Sequence, residues 1–258
     1  MSEKPSLLEQ TRQQLRQLAE EAKLLEAHIS VTAKTLTAEE AIGKPERQDF
    51  PIVVGKESMI EARVADARGQ AFTDSPQEFT GSLDEVLHLE LASNQKRAVY
   101  VAALNAVLAH LGRVEGTVHC RDEDPELCAR EIAAELFEEY GPVKVGLIGL
   151  NPAIAEQLAE RFGPDRLGIS DLFEGNIGRQ RFDTEVWDGS TRNSELVDAS
   201  DLVLVTGTTL VNGALDSILE RLHDGRGTAH RIYGVTGAGA CALLGLPRIC
   251  PYGRSGRP

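Results

Sequence analysis

Apolar residues return at helical spacing over residues 6–28, with Leu7, Leu8, Leu15, Leu18, Ala22 and Leu25 on one face and Gln, Glu and Arg on the other. That pattern predicts an amphipathic helix. A polar stretch follows, in which Thr37-Ala-Glu-Glu reads as a capping box opening a short helix that Gly43 and Pro45 end. Residues 52–72 read as β structure. Ile52-Val53-Val54 is a short apolar run ended by Gly55, and Ile60, Ala62, Val64 and Ala65 partly alternate with polar residues. Arg68-Gly69-Gln70 reads as a turn before Ala71-Phe72-Thr73, giving a small antiparallel sheet. Residues 94–112 carry the broadest apolar face of the first half, and Gly112 ends that helix. Another helix spans 125–140, from Pro125 in its first turn to the Gly141-Pro142 stop.

The period changes after residue 142. Val143–Leu150 is a continuous apolar strand, followed by a helix over 152–162 and a strand over Leu167–Asp171. A short helix over 194–199 precedes the strand Leu202–Val205. The turn Thr206-Gly-Thr-Thr leads to a helix over 212–222, and a further strand covers 231–235. Strands that alternate with helices of about ten residues imply a parallel sheet covered on both faces. The expected class is α/β, a Rossmann-like parallel-sheet domain over 142–258 with a smaller α+β domain over 31–141. The N-terminal helix (1–30) stands in front of both.

Composition narrows the class further. Of the 258 residues, 41% are hydrophobic and 26% charged, as in ordinary globular proteins, and the formal net charge is −13. An acidic surface repels nucleic acid and anionic membrane, so neither is expected as a partner. The polar start MSEKPSLLEQ has no apolar core of a signal peptide, and no apolar run reaches the length of a membrane span. A cytoplasmic protein with four reduced thiols is the expectation.

Parallel sheets bind ligands beyond the C-terminal ends of their strands. That edge carries Asn151, Asp171, Thr206, Gly207, Thr208, Thr209, Asn212 and the Thr236–Gly239 turn. Hydroxyls and free N–H groups where a strand enters a helix suit a carboxylate or phosphate, although capping and turn formation need the same residues. Gly146-Leu-Ile-Gly149-Leu-Asn-Pro lacks the Gly-x-Gly-x-x-Gly pattern, because Pro152 and Ala153 stand where a pyrophosphate turn needs glycine; dinucleotide binding is not expected. Asp171 has either a ribose-type contact or a capping role. Thiols form a second set. Cys120 and Cys128 lie eight residues apart with His119 beside the first, while Cys250 and Cys241 lie near the C-terminus. No pair has C-x-x-C spacing, so a metal ion or iron–sulfur cluster would need ligands from distant segments. Cys241, within Ala-Cys-Ala-Leu-Leu, reads better as a small buried residue. In the first half, Glu57 and Thr73-Asp74 lie in loops, and Asn105 interrupts an apolar helix, where it must be hydrogen-bonded. His28, His88, His110 and His223 fall on predicted helices with no partner apparent.

Four motifs carry a resemblance over residues 50–254. They are Ala71-Phe-Thr-Asp74, Arg97-Ala-Val-Tyr-Val-Ala-Ala-Leu-Asn-Ala106, Thr206-Gly-Thr-Thr-Leu-Val-Asn-Gly213 and Tyr233-Gly-Val-Thr-Gly-Ala-Gly239. The sequence resembles the heavy-metal-chelation family, a former domain of unknown function. The resemblance implies an enolase-N-terminal-like domain, a Rossmann-like domain and a site in the cleft between them. It places Asn105, Asp171, Thr206, Thr208, Thr209, Asn212 and Thr236 around that cleft. Cys120, Cys128 and Cys250 look like a cysteine-bearing variety of the family.

Three functional expectations follow. One is binding or handling of a metal ion, or of a small metal-chelating anion, in the cleft. A second is an enzyme acting on a small carboxylate- or phosphate-bearing metabolite. The third is a scaffold that forms a homodimer through the N-terminal helix.

Overall fold

The computed structural model describes residues 5–25, 30–224 and 227–258. His28 and the end of the helix predicted over 6–28 lie outside them. Helix α1 (Leu7–Glu21) is capped by the Ser6 hydroxyl, which accepts from Glu9 N. Strand β1 (Ser30–Leu36) follows, then α2 (Ala38–Ile42) with the predicted Thr37/Glu40 capping box. Next come β2 (Ser58–Val64), β3 (Ala67–Thr73), β4 (Phe79–Ser82), α3 (Leu83–Leu87), α4 (Asn94–His110) and α5 (Asp124–Tyr140). The second half runs β5 (Val145–Ile148), α6 (Pro152–Phe162), β6 (Leu167–Asp171), β7 (Gln180–Arg181), β8 (Thr184–Asp188) and α7 (Gly189–Ala199). It ends with β9 (Leu202–Thr206), α8 (Thr209–Asn212), α9 (Leu215–Asp224), β10 (Ala229–Tyr233), α10 (Ala238–Leu244) and β11 (Arg248–Ile249).

Two sheets result. The first is antiparallel, in the order β3-β2-β1-β4. The second has seven strands in the order β11-β10-β9-β5-β6-β8-β7, parallel throughout except for the β7–β8 hairpin. Strand β9 explains the continuous apolar runs of the second half. Val203 and Val205 belong to the core on one face of the sheet, Leu202 and Leu204 to the core on the other. A strand buried on both sides has no polar face to show.

Helix α4 joins the sheets. Every residue from Ala98 to Ala109 is buried, so the helix is apolar on all sides rather than along a stripe. It packs on β3 and β2 across one face and meets α8 and α10 with the other. Leu8, Leu15 and Ala19 of α1 enter the same core, and α1 lies against α10. The apolar stripe predicted for this helix is therefore covered within the chain. Helix α5 pairs with α6 and contributes Ile132, Ala133 and Leu136 to the core on the opposite face of the parallel sheet.

Several predicted elements are displaced. Ile52-Val53-Val54 is a turn, with Val53 N and Val54 N both donating to Phe50 O and Lys56 N to Pro51 O, so these backbone groups close on the segment itself instead of on a neighbouring strand. Arg68-Gly69-Gln70 is strand, not turn, paired with Arg63, Ala62 and Glu61. The hairpin turns at Ala65-Asp66, with Ala65 at φ 51°. Gly69 serves packing instead. A Cβ there would lie 2.5 Å from Ala102 O and closer still to Ala106 N, so only glycine lets β3 approach α4. The helix predicted from Asn212 starts at Leu215, because Gly213 (φ 83°) ends the single turn α8. Helix α7 begins at Gly189, not residue 194, under an Asp188 cap that accepts from Ser190 N at 2.8 Å.

Candidate ligand cleft

The parallel sheet changes direction at β5, whose neighbours β9 and β6 lead away on opposite sides. Loops leaving β5 and β9 diverge at their C-terminal ends and leave a crevice between them. Gly149, Leu150 and Asn151 line one side of it, and Thr206 and Thr208 another. The antiparallel sheet supplies the facing wall. Ser58 pairs with Thr73, so Glu57, just before β2, and Asp74, just after β3, stand at neighbouring strand ends. The cavity measures about 310 Å³, the size of a small organic molecule rather than a bare ion. A smaller chamber of about 90 Å³ opens beside it past Ser170, Asn193 and Thr209.

Three carboxylates face this space. Asp74 accepts from Asn94 Nδ2 at 3.0 and 3.1 Å, and Asn94 Oδ1 in turn accepts from Arg97, whose Nε donates to Val211 O at 2.6 Å. Asp171 accepts from Phe173 N (3.0 Å) and from the buried Asn176 side chain (2.7 Å). No helix follows directly, so Asp171 holds the turn after β6 rather than capping a helix, and its side chain borders the cavity as well. Glu57 is pushed up to about 7, first by burial and then by the charges of Asp171 and Asp74. It keeps part of its surface open to the cavity although protein surrounds it densely. Among the described lining residues, Lys56 is the one Lys or Arg, and its Nζ sits 3.7 Å from the Phe173 ring centroid. Phe50, Ile52 and Phe72 form apolar wall. Tyr233 donates to Gly149 O at 2.7 Å, and burial pushes its hydroxyl pKa up.

His119 lines the same cavity, edge-on to Phe72 at 5.4 Å. Burial lowers its pKa and keeps the ring neutral. Its Nδ1 lies 2.6 Å from Cys120 O. A carbonyl can only accept, so Nδ1 carries the proton and Nε2 holds a lone pair.

The Thr206–Thr209 turn mostly bonds to itself. Thr206 Oγ1 donates to Thr208 Oγ1 (3.2 Å), the buried Thr209 hydroxyl donates to Thr206 O (2.6 Å), and Gly207 N donates to Tyr233 O (2.9 Å). Thr209 borders only the smaller chamber, and Gly207 lines neither space but packs on the Gly237 backbone. Thr206, Thr208 and Asn212 do border the main cavity, as does Thr236, which accepts from Phe72 N at 3.0 Å. Asn105 is a correction to the expected site. It is fully buried behind the wall, donating to Gln70 O (2.9 Å) and Val235 O (3.1 Å) and accepting from Gly239 N (2.7 Å). It ties β3 to the loop before α10 and lines nothing.

The cysteines divide. Cys241 lies in the core of α10, apart from the others, and burial pushes its thiol up to about 12. Cys120 and Cys128 both lie in the opposite core, where interaction with the second thiol and then burial push the Cys120 pKa up. Cys250 is within electrostatic reach of both and is itself raised by burial. No three His, Cys, Asp or Glu side chains among the described residues are grouped so as to hold a metal ion. The expected metal set of Cys120, Cys128, Cys250, Cys241 and His119 is thus not assembled as ligands of one ion. No helix among the described residues is long and apolar enough to cross a membrane.

Glu57 and Asp74 were visible in sequence only as loop carboxylates. Their signal was the strand register, which a turn placed at 68–70 conceals. Asn94, Lys56 and Phe173 gave no signal at all.

Comparison with known proteins agrees with this architecture. A protein of unknown function from the DUF364 family of Pyrococcus horikoshii superposes with a TM-score of 0.50 at 16% identity, over 90% of this chain and 79% of its own. A second protein of unknown function from that family, from Desulfitobacterium hafniense, gives a TM-score of 0.47 at 17% identity, over 74% of this chain and 73% of its own. No curated protein matches the sequence significantly. The family model, described as "Putative heavy-metal chelation", matches residues 133–236, from within α5 to the turn after β10. Over that segment the chain is similar to the DUF364 family model, and its fold is similar to that of the Pyrococcus horikoshii protein.

Proposed function

We propose that the cleft binds a divalent metal ion carried on a small organic chelator. The carrying observation is the charge of the cavity. Glu57, Asp74 and Asp171 face one space, where burial and then repulsion from Asp171 and Asp74 push the Glu57 pKa up to about 7. A cation relieves that repulsion. The three carboxylates are not grouped as direct ligands of one ion, so the ion's remaining ligands come from its own chelator or water shell. The chelator's carbon skeleton fits the apolar wall of Phe50, Ile52 and Phe72. The description of the family model supports a metal cargo. A bare phosphate or carboxylate is disfavoured, because the threonine turn spends Gly207 N and its hydroxyls on itself and the carboxylates stand opposite.

Elemental analysis after anaerobic purification tests this reading. The wild-type protein is expected to carry a transition metal, and Glu57→Gln/Asp171→Asn to carry much less. Equal metal in both would refute it.

One observation favours catalysis as a second reading. Glu57, with a pKa of about 7, shares the cavity with a neutral imidazole whose Nε2 is a free base. Such a pair suits proton transfer on a bound metabolite. The homodimer reading draws no similar support, since the apolar stripe of α1 is covered by the chain's own core.

A further inference from the structure

His119 lines the cleft in surroundings that the three carboxylates do not explain. Its backbone N–H donates to Gln70 Oε1 at 2.8 Å. Gln70 is buried in β3, and its Nε2 donates to the buried Glu61 carboxylate at 2.9 Å. The imidazole Nδ1–H donates to Cys120 O at 2.6 Å, and the ring stands edge-on to Phe72 with centroids 5.4 Å apart. The segment is pinned as well. Val118 and Arg254 exchange backbone hydrogen bonds of 3.1 and 2.7 Å, and Thr117 Oγ1 donates to Arg68 O at 2.8 Å. One ring atom is left over, since no hydrogen bond among the described residues engages Nε2. Arg12 Nε, Arg121 Nε, Arg181 Nε and His230 Nε2 are the described side-chain atoms both sealed from solvent and unpartnered, and His119 Nε2 is not among them. Its lone pair therefore reaches open space, and the space that His119 lines is the cleft. An imidazole that donates one N–H to a backbone carbonyl and turns the other nitrogen to a cavity is the arrangement in which histidine binds metal ions.

We propose that His119 Nε2 is a direct donor to the carried ion, so that the cleft takes partial chelates, with a ligand position open, of imidazole-binding divalent ions such as Zn²⁺, Ni²⁺ and Cu²⁺ rather than of Mg²⁺ or Ca²⁺. This rests on the metal reading above and adds to it a donor, a class of ion and a demand on the chelator. Imidazole suits the late first-row ions, whereas Mg²⁺ and Ca²⁺ take oxygen ligands. Binding is a ligand exchange. A water leaves the ion, Nε2 supplies its electron pair in that place, and no proton moves, because Nδ1 keeps its own on Cys120 O. Glu57, Asp74 and Asp171 then balance the charge without being its ligands.

The test uses the whole protein, labelled with nitrogen-15 in its histidines and titrated at pH 8 with Zn²⁺–iminodiacetate, a chelate that leaves positions open. Imidazole NMR reads it, with His119 assigned in the wild type by through-bond correlation. The His119 Nε2 resonance is expected to leave the position of a free lone pair, while Nδ1 keeps its proton. Zn²⁺–EDTA, whose chelator fills the sphere, and Mg²⁺–iminodiacetate are expected to leave it in place. His119→Gln is expected to weaken Zn²⁺–iminodiacetate binding about tenfold or more, since even outer-shell changes at metal sites cost that much. The exposed His88 meets the chelate equally in wild type and variant, so it does not enter the difference. The wild-type spectrum decides alone where the variant is unstable. Saturable binding with Nε2 unmoved overturns this inference and leaves the metal reading standing. An equal Nε2 response to Zn²⁺–EDTA overturns the open position, and an equal response to Mg²⁺–iminodiacetate overturns the class of ion. No saturable binding of any chelate overturns both this inference and the metal reading.

Discussion

Glu57 faces the cleft as a carboxylate whose titration burial displaces upward. Its pKa rises from 4.5 to about 7, so between those values the native state keeps a proton that the unfolded chain has released. Stability therefore falls as pH rises through that window, and roughly 1–3 kcal/mol is at stake after allowance for the open side of the residue. Glu57→Gln cannot ionise. It is expected to raise the urea midpoint relative to wild type at pH 8 and to leave it unchanged at pH 4.5. Urea titrations at the two pH values check this, and a variant that is less stable at pH 8 would show that Glu57 is not a destabilising buried charge. If the proposed cargo binds there, cation affinity is expected to follow the same titration, rising with pH through about 7. Sequence reading reached Asp171, Thr206, Thr208, Asn212 and Thr236 as cleft residues because each ends or follows a strand of a parallel sheet. It misread Asn105, because a buried asparagine that staples two backbones looks the same in sequence as one that meets a ligand.

At the scale of elements, the contact between β3 and α4 sets the distance between the carboxylate wall and the parallel sheet. Glycine at 69 is what allows it, since Ala102 O would stand 2.5 Å from any added Cβ. Helix α4 is buried all round and has nowhere to retreat. Gly69→Ala is expected to cost about 3 kcal/mol or more, read as a lowered urea midpoint with unchanged slope. A cost within 0.5 kcal/mol, about the spread of neutral surface changes, would mean that the helix can shift. The same glycine explains what could not be read locally. A Gly between polar residues reads as a turn, and only the tertiary contact shows that it marks a close approach. The helices over 152–162 and 125–140 were legible almost to the residue, because proline at the start and glycine at the end punctuate them.

For the whole molecule, α4 makes the two sheets parts of one core, with Val101 and Leu104 in the same cluster as Val203 and Val205. Unfolding is expected to be a single transition. Trp187 fluorescence, reporting the parallel sheet, and far-UV circular dichroism, reporting all elements, should share one midpoint. Separate midpoints would show independent domains. The parallel sheet was legible because its periodicity is plain. The order of the antiparallel sheet and the residues facing the cleft were not, because they depend on how the sheets meet. The acidic cleft is the central claim, and equilibrium titration with Ni²⁺–iminodiacetate at pH 8 tests it most directly. Wild type is compared with Glu57→Gln/Asp74→Asn/Asp171→Asn, with folding of both confirmed by circular dichroism. The account predicts binding by wild type that is weakened at least about tenfold, or some 1.4 kcal/mol, by the triple substitution. Equal or tighter binding by the variant would contradict it.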